Sequence, residues 1–294
     1  VAGDDWSARR LHFVGIGGAG MSGLALIAQA LGAEVTGSDR AESSYTARLR
    51  ERGIEPEIGH RTENVQPGVE VVYSTAVPPD NPERSAARAA GAPELHRADL
   101  LAQIAGLRRC LAVTGTHGKT TTTAMVVHAL RECGLDPSYV VGGELRSTGS
   151  NAGWGTGEWV VVEADESDRS LLKLDPEIAV LTNAELDHHS TYASRLELED
   201  TFREFMGRAA VDVVLDRPAL RALCTAPRVV AYDVDDAVFS PEGVDFGWHQ
   251  IHVSLSVPGE HNALNAAAAL TACELAGADP AAAAAALGSF VGAR

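Results

Sequence analysis

The amino-acid sequence predicts an α/β protein made of two parallel-sheet domains in tandem, residues 1–107 and 108–294. Three observations carry that expectation. Short apolar strand patterns alternate with helical patterns along most of the chain, as strand–helix–strand units and a parallel sheet require. Two glycine turns, at 15–20 and 115–118, each lie between a strand pattern and a helix pattern. A chain of 294 residues is long for one domain and comfortable for two.

Bulk properties narrow the function. The chain is 45% hydrophobic and 22% charged, and 24 Lys and Arg against 40 Asp and Glu give a formal net charge of −16. So acidic a surface argues against nonspecific nucleic-acid binding, which depends on Lys and Arg neutralising phosphates. An anionic ligand must then be held by local devices such as helix N-termini. Cys110, Cys133, Cys224 and Cys273 are scattered without a C-x-x-C pair. This predicts neither a disulfide framework nor a zinc site, and fits a reducing compartment. Residues 11–33, an uncharged run after Arg9 and Arg10, superficially resemble a signal peptide. Six of them are glycines at nucleotide-loop spacing, which explains the run better. The expectation is a cytoplasmic protein with no membrane partner.

In the first domain a strand at 11–14 runs into Gly15-Ile-Gly17-Gly18-Ala-Gly20 and a helix at 21–31. A second strand at 33–37 ends in Ser38 and Asp39. The G-x-G-x-x-G spacing with an acid about twenty residues later is the Rossmann-like dinucleotide fingerprint, suited to a ribose and a diphosphate. The competing reading is that the glycines only permit close helix–strand packing. A helix at 43–52, a strand at 54–58 and Gly59-His60 follow. A strand at 69–75 ends in Ser74 and Thr75, and ligands of open parallel sheets gather at such carboxyl ends. A proline-rich turn at 77–82 and helices at 82–90 and 97–106 close the unit.

The second domain opens on a strand at 111–114, then Gly115-Thr116-His117-Gly118-Lys119-Thr120-Thr121 and a helix to 133. Loop N–H groups at the positive end of a helix dipole make a phosphate site. In such a loop the lysine meets the β and γ phosphates and the hydroxyl after it holds Mg²⁺, roles for Lys119 and Thr120. The strict P-loop pattern has a glycine where Val113 stands, so this is a shorter variant. Residues 142–157 read as loops and short strands. The apolar strand at 159–162 ends in Glu163-Ala-Asp165-Glu166-Ser-Asp168, four carboxylates that are costly there unless a cation or hydrogen bonds compensate them. A strand at 178–182 precedes Asn183, Glu185, Asp187, His188 and His189. The spacing is not that of a zinc site, which leaves His188 as a single ligand or phosphate contact. A helix at 196–208 and strands at 211–215 and 229–232 follow. Residues 233–250 read as irregular, and 251–257 as a strand. An alanine-rich helix beginning around Pro258-Gly-Glu-His261-Asn262-Ala-Leu-Asn265 then runs to 275. Asn262 and Asn265, three apart, share one face at its start, although Asn262 alone would serve as an N-cap. A last helix spans 280–287.

In this order the motifs resemble the Mur ligase family. The matching stretches are GIGGAGMSGLA at 15–25, GSD at 37–39, GH…ENV at 59–65, TGTHGKTTTT at 114–123, EADESD at 163–168, TN-x-E-x-DH at 182–188 and PGEHN-x-x-NA at 258–266. GMSG after the first glycine loop is more similar to the members that add L-alanine than to those that add a preformed peptide. Ser190 and Leu171 depart from the family pattern, which commonly has an acid and Phe there. The resemblance implies an ATP-dependent ligase joining L-alanine to UDP-N-acetylmuramate through an acyl phosphate in peptidoglycan precursor synthesis. It implies ATP and Mg²⁺ as cofactors, and a monomer or homodimer. It assigns catalysis to Lys119, Glu163 and His188, and Mg²⁺ to Thr120, Glu163 and His188. ATP contacts would be Gly115, Thr116, His117, Gly118, Lys119, Thr120, Thr121, Asn262 and Asn265. The UDP-sugar would meet Gly15, Gly17, Gly18, Gly20, Ser38, Asp39, His60, Ser74 and Thr75. The family has three domains and the chain resembles the first two, so the C-terminal ligase domain is expected to be absent and the fragment inactive alone. The rival readings are an NAD(P)-dependent oxidoreductase, which leaves the second loop unexplained, and a non-catalytic UDP-sugar-binding module.

Overall fold

The computed structural model describes residues 5–185 and 192–293. The chain divides into two compact units. Unit 1 runs to Leu107 and includes Asn151–Trp154; unit 2 holds Arg108–Ser150 and the chain from Gly155 onward.

Unit 1 contains β1 (Arg10–Val14), α1 (Ala19–Ala30), β2 (Glu34–Asp39), α2 (Ser44–Glu51), β3 (Glu57–Ile58), β4 (Glu70–Tyr73), α3 (Pro82–Ala89), β5 (Glu94–His96) and α4 (Arg97–Ala105). Its sheet has the order β3-β2-β1-β4-β5, with every pair parallel. β1 lies at the centre with four of its five residues buried, as a parallel strand covered on both faces demands. Its last residue, Val14, stands opposite Ser38 of β2 and Tyr73 of β4. The chain leaves β1 to form β2 on one side and later β4 on the other. The glycine loop after Val14 therefore sits at the topological switch point, at the carboxyl edge of the sheet. Helix starts follow local chemistry. Ser43 and Thr46 close a reciprocal capping box on α2, and Asn81 caps α3 with Pro82 in the first turn.

Two details differ from the sequence reading. The strand at 54–58 shrinks to Glu57–Ile58, because Pro56 has no N–H for a ladder. β5, with one apolar residue among its three, is too short to show a period.

Unit 2 contains β6 (Arg109–Thr114), α5 (Lys119–Glu132), β7 (Ser138–Leu145), the first residue of β8 (Ser150–Gly153, the rest of which falls in unit 1), β9 (Trp159–Glu163), β10 (Ile178–Leu181), α6 (Arg195–Met206), β11 (Val211–Leu215), α7 (Pro218–Arg221), β12 (Arg228–Tyr232), β13 (Asp235–Phe239), β14 (Val244–Trp248), β15 (Ile251–Leu255), α8 (Glu260–Leu275) and α9 (Pro280–Leu287). The seven-stranded sheet runs β12-β11-β10-β6-β9-β7-β8, and its strands from β12 to β7 are parallel to one another. β6 and its neighbours β9 and β10 deliver their carboxyl ends to one edge. α5 packs against α8 and α9. α8 can lie deep because alanines make up much of its buried surface: Ala263, Ala266–Ala269 and Ala272 are fully covered.

Residues 233–250, read as irregular, instead form β13 and β14, which join β15 in a three-stranded antiparallel sheet. Val244, Phe246 and Trp248 are buried while Asp245 is exposed, so the period-2 alternation is present but brief. Residues 142–157 likewise hold the end of β7 and all of β8. Adjacent Gly142 and Gly143 mask an eight-residue strand. No described helix is long and apolar enough to cross a membrane.

Candidate functional site

A polar concavity of unit 2 is built on the turn between β6 and α5. Gly118, the residue capping α5, has φ +80°, and a Cβ there would fall 2.6 Å from Asn265 Oδ1; the position needs glycine on both counts. The turn is braced from β10's end. Asn183 Oδ1 accepts the His117 N–H (2.9 Å), its Nδ2 donates to the His117 carbonyl (2.8 Å), and the Thr182 hydroxyl donates to that carbonyl too (2.6 Å). Thr116 is tied at both ends of its hydroxyl, donating to the Glu185 carbonyl (2.7 Å) and accepting the Glu185 N–H (3.0 Å). The loop is thus held rigid by neutral groups, and its positive end carries no fixed negative charge from these braces.

Around it lies a cleft of about 550 Å³, lined by Thr116, His117, Gly118, Lys119, Thr120, Thr121, Glu163, Asp165 and Ser167. Lys119 Nζ donates to the carbonyls of Gly115 (2.8 Å) and Thr116 (3.3 Å) and forms an ion pair with fully buried Glu166 (2.8 Å). Thr120 donates its hydroxyl to Glu163 Oε1 (3.0 Å), while Glu163 Oε2 accepts the Gly142 N–H (2.7 Å). Burial pushes the Glu163 carboxyl above its usual range. The Gly142 and Thr120 donors and the Lys119 charge only partly oppose that shift, and Asp165 adds to it. A desolvated carboxylate beside a hydroxyl, facing a phosphate-type loop, is a hard-oxygen donor set that fits a divalent cation. Among the described residues no group of three or more His, Cys, Asp or Glu is placed to hold a metal ion. His188, expected as a further ligand, lies outside the described residues.

Of the two asparagines, Asn265 lies against the turn at Gly118. Asn262 is not the N-cap of α8, a place Gly259 takes; its amide donates back to the Pro258 carbonyl (2.7 Å). Both are buried and neither lines the cleft.

Unit 1 has its own cavity, about 660 Å³, over the first glycine loop. Gly15, Gly17, Gly18, Asp39, His60 and Ser74 line it, together with Met21, Arg40, Asn81 and the 76–82 turn. The Asp39 carboxylate accepts the Gly17 N–H (2.8 Å), and a Cβ on Gly17 would meet Thr46 at 2.8 Å and Asp39 at 2.9 Å. Three expected contacts lie elsewhere. Gly20 is in the first turn of α1, and the Thr75 hydroxyl pairs with His96 Nε2 (3.1 Å). Ser38 is fully buried beneath the cavity, its hydroxyl donated to Glu83 Oε2 (2.5 Å) and set 2.9 Å from His60 Nδ1.

Sequence reasoning did not assign Glu166 a role and did not single out Glu83. Glu166 is one of four acids whose spacing does not say which one meets Lys119. Glu83 has a weak signal, an acid in the first turn of a helix after an Asn-Pro start.

Comparison with known proteins identifies the family. A model of the Mur ligase family, catalytic domain, matches residues 10–109, and one of the Mur ligase middle domain matches residues 113–273. The UDP-N-acetylmuramate–L-alanine ligase of Sorangium cellulosum is 42% identical over 287 residues, covering 90% of this chain and 61% of that protein. The enzyme of that name from Rubrobacter xylanophilus is 43% identical, covering 97% of this chain and 67% of its own. The chain therefore spans roughly two thirds of the length of these relatives. Among solved structures, UDP-N-acetylmuramate-alanine ligase MurC from Thermotoga maritima superposes with a TM-score of 0.88 at 32% identity, over 97% of this chain and 69% of that one.

Proposed function

The chain belongs to the Mur ligase family, and from that premise we propose that it forms the sugar-nucleotide-binding and ATP-binding parts of a UDP-N-acetylmuramate–L-alanine ligase. The observation that carries the reading is a Thr120–Glu163 couple at the start of α5, next along the helix from Lys119 and its ion pair with Glu166. An oxidoreductase has no use for that arrangement.

In the proposed reaction the muramate carboxylate attacks the γ-phosphorus of ATP, the bond to ADP breaks, and an acyl phosphate forms. The amine of L-alanine then attacks the acyl carbon and phosphate leaves. Charge accumulates on the oxygens of the transferring phosphoryl group, so catalysis is chiefly positioning and electrostatic stabilisation. The turn from Gly115 to Gly118 offers backbone N–H groups to the phosphates. Lys119 exchanges the Gly115 and Thr116 carbonyls for phosphate oxygens while Glu166 keeps the ammonium within the cleft. Thr120 and Glu163, with His188, would hold Mg²⁺, which supplies neutralisation of phosphate charge. The unit 1 cavity would take the UDP-sugar on its glycine loop. The four free cysteines support a cytoplasmic setting.

Titration calorimetry on this chain tests the reading with three ligands. UDP-N-acetylmuramate should give heat, ATP should give heat only when Mg²⁺ is present, and NAD⁺ should give none. Heat with NAD⁺ and none with the UDP-sugar would overturn it.

A further inference from the structure

Beneath the unit 1 cavity three polar side chains and one backbone N–H converge on one carboxylate. Glu83 is fully buried, and every group around it is a donor or can act as one. Ser38 Oγ lies at 2.5 Å, Asn64 Nδ2 at 2.5 Å, the Arg61 N–H at 3.3 Å and His12 Nε2 at 3.5 Å. His60 Nδ1 is 3.5 Å from the same oxygen that Ser38 reaches and 2.9 Å from the Ser38 hydroxyl itself. Burial works against the charge of Glu83, yet the His12, Ser38 and Asn64 hydrogen bonds outweigh it and hold the carboxyl below its usual range.

An ionised carboxylate has no proton to give, so the one between Glu83 and Ser38 belongs to the serine. A hydroxyl carries only one proton. Ser38 must then meet His60 with a lone pair, and His60 Nδ1 must carry the hydrogen. The direction of the chain is fixed from its buried end outward. Nδ1 is occupied on the buried side, and Nε2 makes no hydrogen bond among the described residues although His60 lines the cavity.

We infer that Glu83, acting through the Ser38 hydroxyl, is a positioning residue that fixes the tautomer of His60 and presents Nε2 to the polar groups of a bound nucleotide sugar. The identity of the ligand rests on the function proposed above; the tautomer does not. Ser38, expected to touch ligand, acts one step behind the residue that does.

The test uses the full chain with ¹⁵N-labelled histidine, the His60 signals being assigned by their loss in His60→Gln. Ring-nitrogen shifts should show His60 protonated at Nδ1, and Ser38→Ala should abolish that preference. Calorimetry with UDP-N-acetylmuramate should show Ser38→Ala and Glu83→Gln each weakening binding by about tenfold. In a His60→Gln background, adding Ser38→Ala should change affinity by less than about twofold, because the relay then has nothing to orient. An unprotonated Nδ1 in the unsubstituted protein overturns the inference. So does an equal loss from Ser38→Ala in both backgrounds, the mark of a merely structural role. Should Glu83→Gln fail to fold, Ser38→Ala decides. A protein that binds no UDP-sugar sinks the proposed function, and the nitrogen shifts still decide the relay.

Discussion

Glu83 and Glu163 are both desolvated carboxylates close to a glycine turn, and they are provided for in opposite ways. Glu83, under the turn of unit 1, has donors from four residues and its carboxyl is held low. Glu163, beside the turn of unit 2, has two donors, Thr120 and Gly142, and burial pushes its carboxyl up. A buried charge is tolerable only when it is paired and hydrogen-bonded. Glu83 is complete within the protein and serves to orient something else. Glu163 has fewer donors than its burial calls for, and under the proposed function a cation would supply the balance. The turns differ in the same sense. In unit 1 a carboxylate, Asp39, accepts a loop N–H; in unit 2 a neutral amide, Asn183, does so. The first loop suits a ligand whose charge is shared with many hydroxyls, and the second suits concentrated phosphate charge.

The sharpest way to break this contrast is to remove each charge with an isosteric amide. Glu163→Gln should weaken Mg²⁺-dependent ATP binding by about tenfold or more, the usual cost of losing a contact to a charged group. It should leave thermal stability unchanged or slightly higher, since burial penalises the charge it removes. Glu83→Gln should do the reverse, lowering the melting temperature while leaving ATP affinity intact. Paired melting curves and ATP titrations on the two variants decide it. If both variants lose stability alike, Glu163 is an ordinary structural acid.

A second test concerns Glu166, which sits in unit 2 yet resembles Glu83 in being internally paired. It forms an ion pair with the Lys119 ammonium at 2.8 Å. Lys119→Met removes the ammonium paired with that buried carboxylate and should cost about 3 kcal/mol in denaturant unfolding, besides abolishing ATP binding. The double variant Lys119→Met, Glu166→Gln should recover most of the stability and none of the binding. Failure of the second change to restore stability would show that Glu166 is satisfied without the lysine.

What the sequence revealed divides along similar lines. Both glycine turns, their flanking strands and the acid at the end of β9 were readable, because each is a local pattern with a mechanism. The resemblance to the Mur ligases, and not the spacing of the four acids, singles out Glu163 as the one that meets Thr120. Partnerships set by packing were not readable. Ser38 is 45 residues from Glu83 and 22 from His60, and no spacing rule joins them. Ser38 stands next to Asp39 on β2, where side chains alternate between faces, so adjacent residues could not both face the cavity. The antiparallel sheet of β13, β14 and β15 was hidden by its acidic, exposed first strand, whose burial pattern carries no alternation.

The smallest effect is a difference in sign between the units as pH changes. Glu83 has a lowered carboxyl, so its contribution is present above the ordinary glutamate range and lost as pH falls through its folded value. Unit 2 carries acids shifted the other way. Glu163 is raised, and burial raises Asp212 to about 6 despite N–H donors from Ala226 and Thr225. A raised acid favours the fold while protonated, so that contribution is present below the unfolded value and lost as pH rises through the folded one. From about pH 4 to pH 6, then, unit 2 should lose about 1–2 kcal/mol while unit 1 holds or gains. Hydrogen exchange, corrected for its intrinsic pH dependence, separates the two if peptides from β1 and β4 are followed against peptides from β10 and β11. Asp212→Asn should flatten most of the unit 2 trend. A parallel trend in both units would mean that the two sets of buried acids are compensated alike, and the contrast between Glu83 and Glu163 would fall with it.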